Sequence, residues 1–234
     1  MVELVIMDLA GTTVDDGGAV LAAFREALTR FAIPFVEAEL QAVRGANKVE
    51  VLRRFAMRAF GAGPETVRVT REALTAFNEQ LLHEFRTGAL APIEGAEETF
   101  AALRERGIKL ATNTGFGRDL AEAILTRLDW HGWFDAEVCG EDVPAGRPAP
   151  YMIYLAMERA GVTDVRRVVA VGDTPLDLQA GTRAGCGGVV GVLTGTHGVE
   201  ALGATRHTHL IPSVAQLPAL LDAEFAVGWA TPAR

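Results

Sequence analysis

Cysteine and lysine are nearly absent from this chain of 234 residues, which holds only Cys139, Cys186, Lys48 and Lys109 of the two types. Two cysteines so far apart make neither a disulfide framework nor a metal knuckle, so a reduced, cytoplasmic setting is expected. No apolar run approaches the roughly 20 residues that a membrane helix needs. The apolar N-terminal stretch is broken by Glu3 and Asp8, lacks a basic region, and has no small-residue cleavage site after it. Positive charge is scarce as well. Lys+Arg total 22 against 30 Asp+Glu, giving a net charge of −8 and a pI near 5.2. That balance argues against a nucleic-acid binder, which uses a basic face to replace counterions. The chain does have apolar residues, 49% of the total with 22% charged, enough for a sizeable core. Its length suits one large α/β unit, or a domain of about 150 residues with a smaller companion. Repeats and low-complexity segments are absent.

Val2 to Leu9 is a nearly continuous apolar run of the kind that forms a strand buried on both faces. Similar runs occur at Ile108–Thr112, Val165–Val171 and Gly188–Leu193, with shorter ones at Glu137–Cys139 and Thr208–Ile211. Helical patterns lie between them, at Gly95–Arg106, Arg118–Leu128, Pro148–Ala160, Leu176–Ala184 and Ser213–Phe225. The last opens with Ser213 and Gln216, the spacing of a capping box. Residues 1–16 and 91–234 therefore read as an α/β core, a doubly wound, Rossmann-like parallel sheet. Residues 17–90 break the alternation. They show helical periodicity at Ala19–Phe31, Lys48–Phe60 and Glu65–Phe85, between glycine-containing hinges, and read as an all-helical cap inserted after the first strand.

Open parallel sheets bind ligands at the carboxyl ends of their strands. At those ends stand Asp8-Leu9-Ala10-Gly11-Thr12-Thr13, Thr112-Asn113-Thr114-Gly115, Gly146-Arg147-Pro148 and Gly172-Asp173-Thr174-Pro175-Leu176-Asp177. Carboxylates suit a hard divalent cation, while hydroxyls and a guanidinium suit phosphoryl oxygens. Taken singly, each element has a structural explanation, because aspartates after strands cap helices and glycines serve turns. Four of them in register at four strand ends are harder to explain that way.

These four segments, in this order and with a helical insert after the first, resemble the haloacid dehalogenase superfamily of phosphotransferases. The superfamily's first motif is Asp-x-Asp, a nucleophile followed by a general acid/base. Here the second position is Ala10. That departure, with Ala10-Gly11-Thr12-Thr13, with Arg147 in place of a lysine, and with Glu141 through Pro150, is similar to the phosphonatase subgroup. The resemblance covers nearly the whole chain. It implies Asp8 as nucleophile and a Mg²⁺ ion held by Asp8, the Ala10 carbonyl and Asp173, with Asp177 behind. It also implies a phosphoryl group bound near Gly11, Thr12, Thr112, Asn113 and Arg147. In the cap, Arg44-Gly45-Ala46-Asn47-Lys48 is similar to the subgroup's Gly-x-x-Lys segment, which places Lys48 as the lysine that forms an imine with the substrate carbonyl.

Lys48 is the only lysine of the cap, and arginine cannot form an imine. The common fate of a lysine is a solvated helix face. The subgroup carries a histidine three residues after its lysine and a methionine four residues before it, where this chain has Val51 and Arg44. Residues four apart on a helix share a face, so Arg44 beside Lys48 would suit an additional substrate carboxylate, as in phosphonopyruvate. The expected activity is hydrolysis of the carbon–phosphorus bond of a small 2-oxo phosphonate, of phosphonoacetaldehyde or phosphonopyruvate type. A phosphomonoesterase acting on phosphoglycolate or a sugar phosphate, and a non-catalytic phosphoryl-ligand binder, stay open, as does a homodimer. His207-Thr208-His209 is a weak metal motif, and Trp130 and Trp133 read as core cover.

Overall fold

The structure is a computed structural model and describes residues 1–42 and 48–224. Arg44 and Phe225 lie outside the described residues. Six strands, β1 (Leu4–Met7), β4 (Lys109–Thr114), β5 (Ala136–Cys139), β6 (Val168–Gly172), β7 (Gly188–Val192) and β8 (His209–Ile211), form one parallel sheet in the order β5-β4-β1-β6-β7-β8. That order reverses at β1, so β1 and β6 flank the crevice where doubly wound sheets place their ligands. β1 is buried on both faces because its side chains alternate. Leu4 and Ile6 face one side, with Met152, Ile153 and Ala156 of α7 (Tyr151–Ala160) and Ala180 of α8 (Pro175–Ala184). Val5 and Met7 face the other, with Phe100 and Leu103 of α5 (Ala96–Glu105), Ile124 of α6 (Arg118–Leu128) and Leu217 and Leu221 of α10 (Leu217–Glu224).

A second, two-stranded sheet is antiparallel. β2 (Val14–Asp15) pairs with β3 (Ala91–Pro92), and among the described residues four helices lie between them in sequence. These are α1 (Ala19–Arg30), α2 (Glu37–Ala42), α3 (Lys48–Phe60) and α4 (Pro64–Thr87). They share an apolar interior in which the Phe24 and Phe77 rings lie 4.6 Å apart, with Phe55 and Leu81 beside them. α4 also packs on α6, and its Phe85 ring meets Phe116 edge-on at 5.5 Å. No helix among the described residues is long and apolar enough to cross a membrane.

Several elements differ from the sequence reading at their edges. Val165–Arg167 is a single 3-10 turn capped by Asp164 rather than the start of a strand, and β4 runs two residues further, to Thr114. α7 starts at Tyr151, after the cis Arg147–Pro148 peptide. The Ser213–Gln216 capping box is present but opens a 3-10 turn before α10. α9 (Val199–Gly203) has no counterpart in the sequence reading. Trp130 is fully buried against Phe100 at 5.0 Å and donates to Glu97 Oε1 at 2.7 Å, which accounts for it as core.

Candidate active site

The carboxyl ends of β1, β4, β6 and β7 open into a cavity of about 450 Å³ whose far wall carries Val20, Lys48, Leu74 and Phe77 of the helical segment. Register fixes the two central acids. Met7 of β1 lies opposite Val171 of β6, so Asp8 and Asp173, one and two residues further on, emerge side by side. The Asp8 amide donates to the Val171 carbonyl at 3.0 Å, which anchors the start of the loop. Arg147 donates to Asp8 Oδ1 at 3.1 Å and pairs through its other terminal nitrogen with Asp177. A second ring of contacts holds the acids still. Thr12 Oγ donates to Asp173 Oδ1 at 3.3 Å, and Thr196 donates to Asp173 Oδ2 through its amide at 3.0 Å and its hydroxyl at 3.2 Å. Asp177 closes a capping box with Thr174, its Oδ2 accepting from the Thr174 hydroxyl at 2.6 Å and amide at 3.0 Å.

Two glycines make room for Asp173. Gly11 sits at φ +86°, where a side chain is strained, and a Cβ there would lie 2.6 Å from Asp173 Oδ2. A Cβ on Gly195 would overlap the same carboxylate. Gly195→Ala should therefore displace Asp173 and cost about 10²-fold in turnover, the usual penalty for misplacing a catalytic group by about 1 Å. Rate measurements beside a thermal melt test this, and near-normal turnover would show that Asp173 need not be held there.

Lys48 is half-buried at the start of α3, with Nζ 5.3 Å from the centre of the Phe116 ring. Burial of its ammonium group pushes its pKa below the ordinary value, and the Arg147 guanidinium pushes it the same way. Asp8, Asp173 and Asp16 act in the opposite sense without overcoming the burial.

The sequence model of the haloacid dehalogenase-like hydrolases matches residues 2–185. A phosphonoacetaldehyde hydrolase of Bacillus cereus is 33% identical over 217 residues, covering 88% of this chain and 80% of that protein. The chain belongs to the haloacid dehalogenase-like hydrolases, in their phosphonatase-like subgroup. Solved structures agree on the fold. A hydrolase from Pseudomonas syringae superposes with a TM-score of 0.76 at 23% identity, covering 95% of this chain and 99% of that one. CbbY from Rhodobacter sphaeroides, in complex with phosphate, gives 0.72 at 20% identity, covering 93% and 96%.

The donor set of this hydrolase fits a hard cation. Asp8, Asp173 and Asp177 are all buried, and one carboxylate oxygen from each lies within 4.8 Å of the others. Arg147 contacts Asp8 and Asp177, whereas among the described residues Asp173 receives only hydroxyls and an amide. Burial and the neighbouring Asp8 charge push the Asp173 carboxyl up, the strain a divalent cation would relieve. Asp173→Asn is expected to abolish most activity and the thermal stabilisation by Mg²⁺, about 2.7 kcal/mol in the wild type at a hundredfold excess over Kd. The variant without metal should melt no lower than the wild type without metal, because a buried like charge is gone. Full turnover in EDTA would remove the ion from this account.

Other residues proposed from the sequence fall as follows. Ala10 and Gly11 line the cavity. Thr12 is fully buried, and its hydroxyl is engaged by Asp173. Thr112 and Asn113 are buried in β4, with Thr112 opposite Met7, while Thr114 and Gly115 form the cavity wall at that strand end. The loop Thr194-Gly195-Thr196 was not proposed from the sequence. It follows β7 directly, and Thr194 Oγ donates to the Gly11 carbonyl at 2.7 Å, tying two strand-end loops together.

Proposed function

We propose that this hydrolase cleaves the carbon–phosphorus bond of a small 2-oxo phosphonate. Neutral Lys48 Nζ adds to the substrate carbonyl, and with uptake of one proton from solvent water leaves, giving a protonated imine. A carboxylate oxygen of Asp8 attacks phosphorus, and the electrons of the carbon–phosphorus bond pass into the imine to give an enamine. The phosphoryl group is then on Asp8 and is released by water, while the enamine takes up a proton and is hydrolysed from Lys48. Asp8, the Ala10 carbonyl and Asp173 would hold Mg²⁺, with Asp177 behind them, and the ion would offset negative charge on the phosphoryl oxygens. Arg147 and Gly11, in the cavity wall, would bind the phosphoryl group, with Thr112 and Asn113 behind them in β4 and Thr12 steadying Asp173. Ala10 offers no acid to protonate a leaving oxygen, and a carbon leaving group with an imine sink needs none.

The observation that carries this reading is the enclosed Lys48 ammonium in the wall of the cavity that holds Asp8. The names of the curated relatives support the same chemistry. Borohydride added during turnover of phosphonoacetaldehyde should trap an adduct that maps to Lys48. Peptide mapping separates it from the other lysine, Lys109, which starts β4 at the opposite end of the sheet from Asp8. Phosphate release with no trapped adduct would overturn the imine, and phosphoglycolate hydrolysis surviving Lys48→Ala would point to an ordinary phosphomonoesterase. If Arg44 reads a second carboxylate, Arg44→Met should lower kcat/KM for phosphonopyruvate relative to phosphonoacetaldehyde by about ten- to a hundredfold.

A further inference from the structure

At the amino ends of β1, β6, β7 and β8, the opposite end of the sheet from Asp8, lies a second cavity of about 490 Å³. That volume falls in the range of small-molecule sites, about 300–1,000 Å³. Its charged side chains are Arg166, Arg167 and Arg206 against the single carboxylate of Asp164, with the His207 ring beside them. This is a local reversal of sign in a chain of net charge −8. Arg166 pairs with Asp164 at 2.9 Å, and Arg167 pairs with Glu3 and donates to the Met1 carbonyl at 3.0 Å. Among the described residues, no acid pairs with Arg206. His207 Nδ1 lies 2.6 Å from the Thr205 carbonyl, which can only accept, so Nδ1 carries the hydrogen and Nε2 is left over.

Helix termini do not account for this cluster. α8 ends at the cavity, but its Gly181 and Thr182 carbonyls already accept from the Gly185 and Cys186 amides. The Thr182 hydroxyl donates to the Arg206 carbonyl at 3.1 Å, which pins the Arg206 backbone and leaves its guanidinium uncommitted. Cys186, in the same wall, is pushed up to about 12 by burial and is an inert apolar surface rather than a nucleophile.

We propose that this cavity binds a small phosphorylated organic anion, with Arg206 on the phosphoryl oxygens, His207 Nε2 accepting from a hydroxyl of the ligand, and Cys186 and Val189 against the organic part. A planar guanidinium matches phosphoryl oxygens in pairs, and the guanidinium groups of Arg166 and Arg167 in the same lining favour a dianion over a monocarboxylate. The site is independent of the proposed reaction, because its test uses ligands that this reaction does not consume.

Calorimetry on the full chain with Mg²⁺, using glycerol 3-phosphate and inorganic phosphate as probes, should resolve two sites per chain. Arg147→Ala should remove one of them. The double variant Arg206→Gln/His207→Gln should weaken the other at least tenfold, and that second site should hold glycerol 3-phosphate more tightly than inorganic phosphate. Arg206 is exposed, so this double variant should fold. A single site lost in Arg147→Ala, or a second site indifferent to the double variant, would overturn the proposal. Equal affinity for the two probes would overturn the organic part.

Discussion

Lys48→Arg should lower turnover of carbonyl phosphonates by at least about 10³-fold while preserving the positive charge. The size of the effect follows from what arginine cannot do. A guanidinium stays protonated and forms no imine, so the carbon fragment would have to leave as an unsupported carbanion. A lysine that served only as a cation near the phosphoryl group would lose far less on this exchange. The environment of Lys48 suits the covalent role, since burial and Arg147 both favour the neutral amine that attacks. The same burial has a stability consequence whose sign is fixed. With its pKa lowered from 10.5, the folded state binds fewer protons at this site than the unfolded chain. Stability should therefore rise as pH climbs from the lowered value toward 10.5. Lys48→Met should melt at a higher temperature than the wild type at neutral pH while showing no trapped adduct. Near-normal rates in Lys48→Arg would remove the imine from the mechanism. A lower melting temperature in Lys48→Met would mean that the ammonium is stabilised where it lies.

Legibility in the sequence followed physical range. β1 could be read because four consecutive apolar residues buried on both faces leave few alternatives. Asp8, Arg147 and Asp173 could be placed together because a parallel sheet puts all strand ends on one side. The pair β2–β3 was invisible, since two residues per strand carry no periodicity. Val165–Arg167 read as strand because apolar Val165 adjoins the run of β6, whereas Asp164 accepting from the Arg166 amide turns the chain there. Thr12 could be placed at the site by its neighbours, but its hydroxyl bond to Asp173, 161 residues away, is a contact no local pattern encodes. Thr194-Gly195-Thr196 was within reach, because the strand-end rule that found the other loops applies equally after β7. What hid it was the absence of an acid or a base in those three residues.

Asp8→Asn should be as inactive as Lys48→Arg for a different reason, and the two failures can be separated. The amide keeps the shape and an oxygen that can accept from Arg147, now 3.1 Å from Asp8 Oδ1, but it is not a nucleophile. It also removes one of the buried negative charges that push the Asp173 carboxyl up, so the variant without metal should be at least as stable as the wild type. Imine formation precedes attack at phosphorus in the proposed order. Borohydride should therefore still trap the substrate on Lys48 in Asp8→Asn, whereas Lys48→Arg should trap none. Acid quenching of a single turnover with phosphorus-labelled substrate should leave label on Asp8 in the wild type and on no residue of Asp8→Asn. Stereochemistry gives an independent test. Attack by Asp8 and then by water are two in-line displacements at phosphorus, so a chiral thiophosphonate should give product with net retention. Inversion, with no label on the quenched protein, would mean that water attacks phosphorus directly and that Asp8 serves only to hold charge.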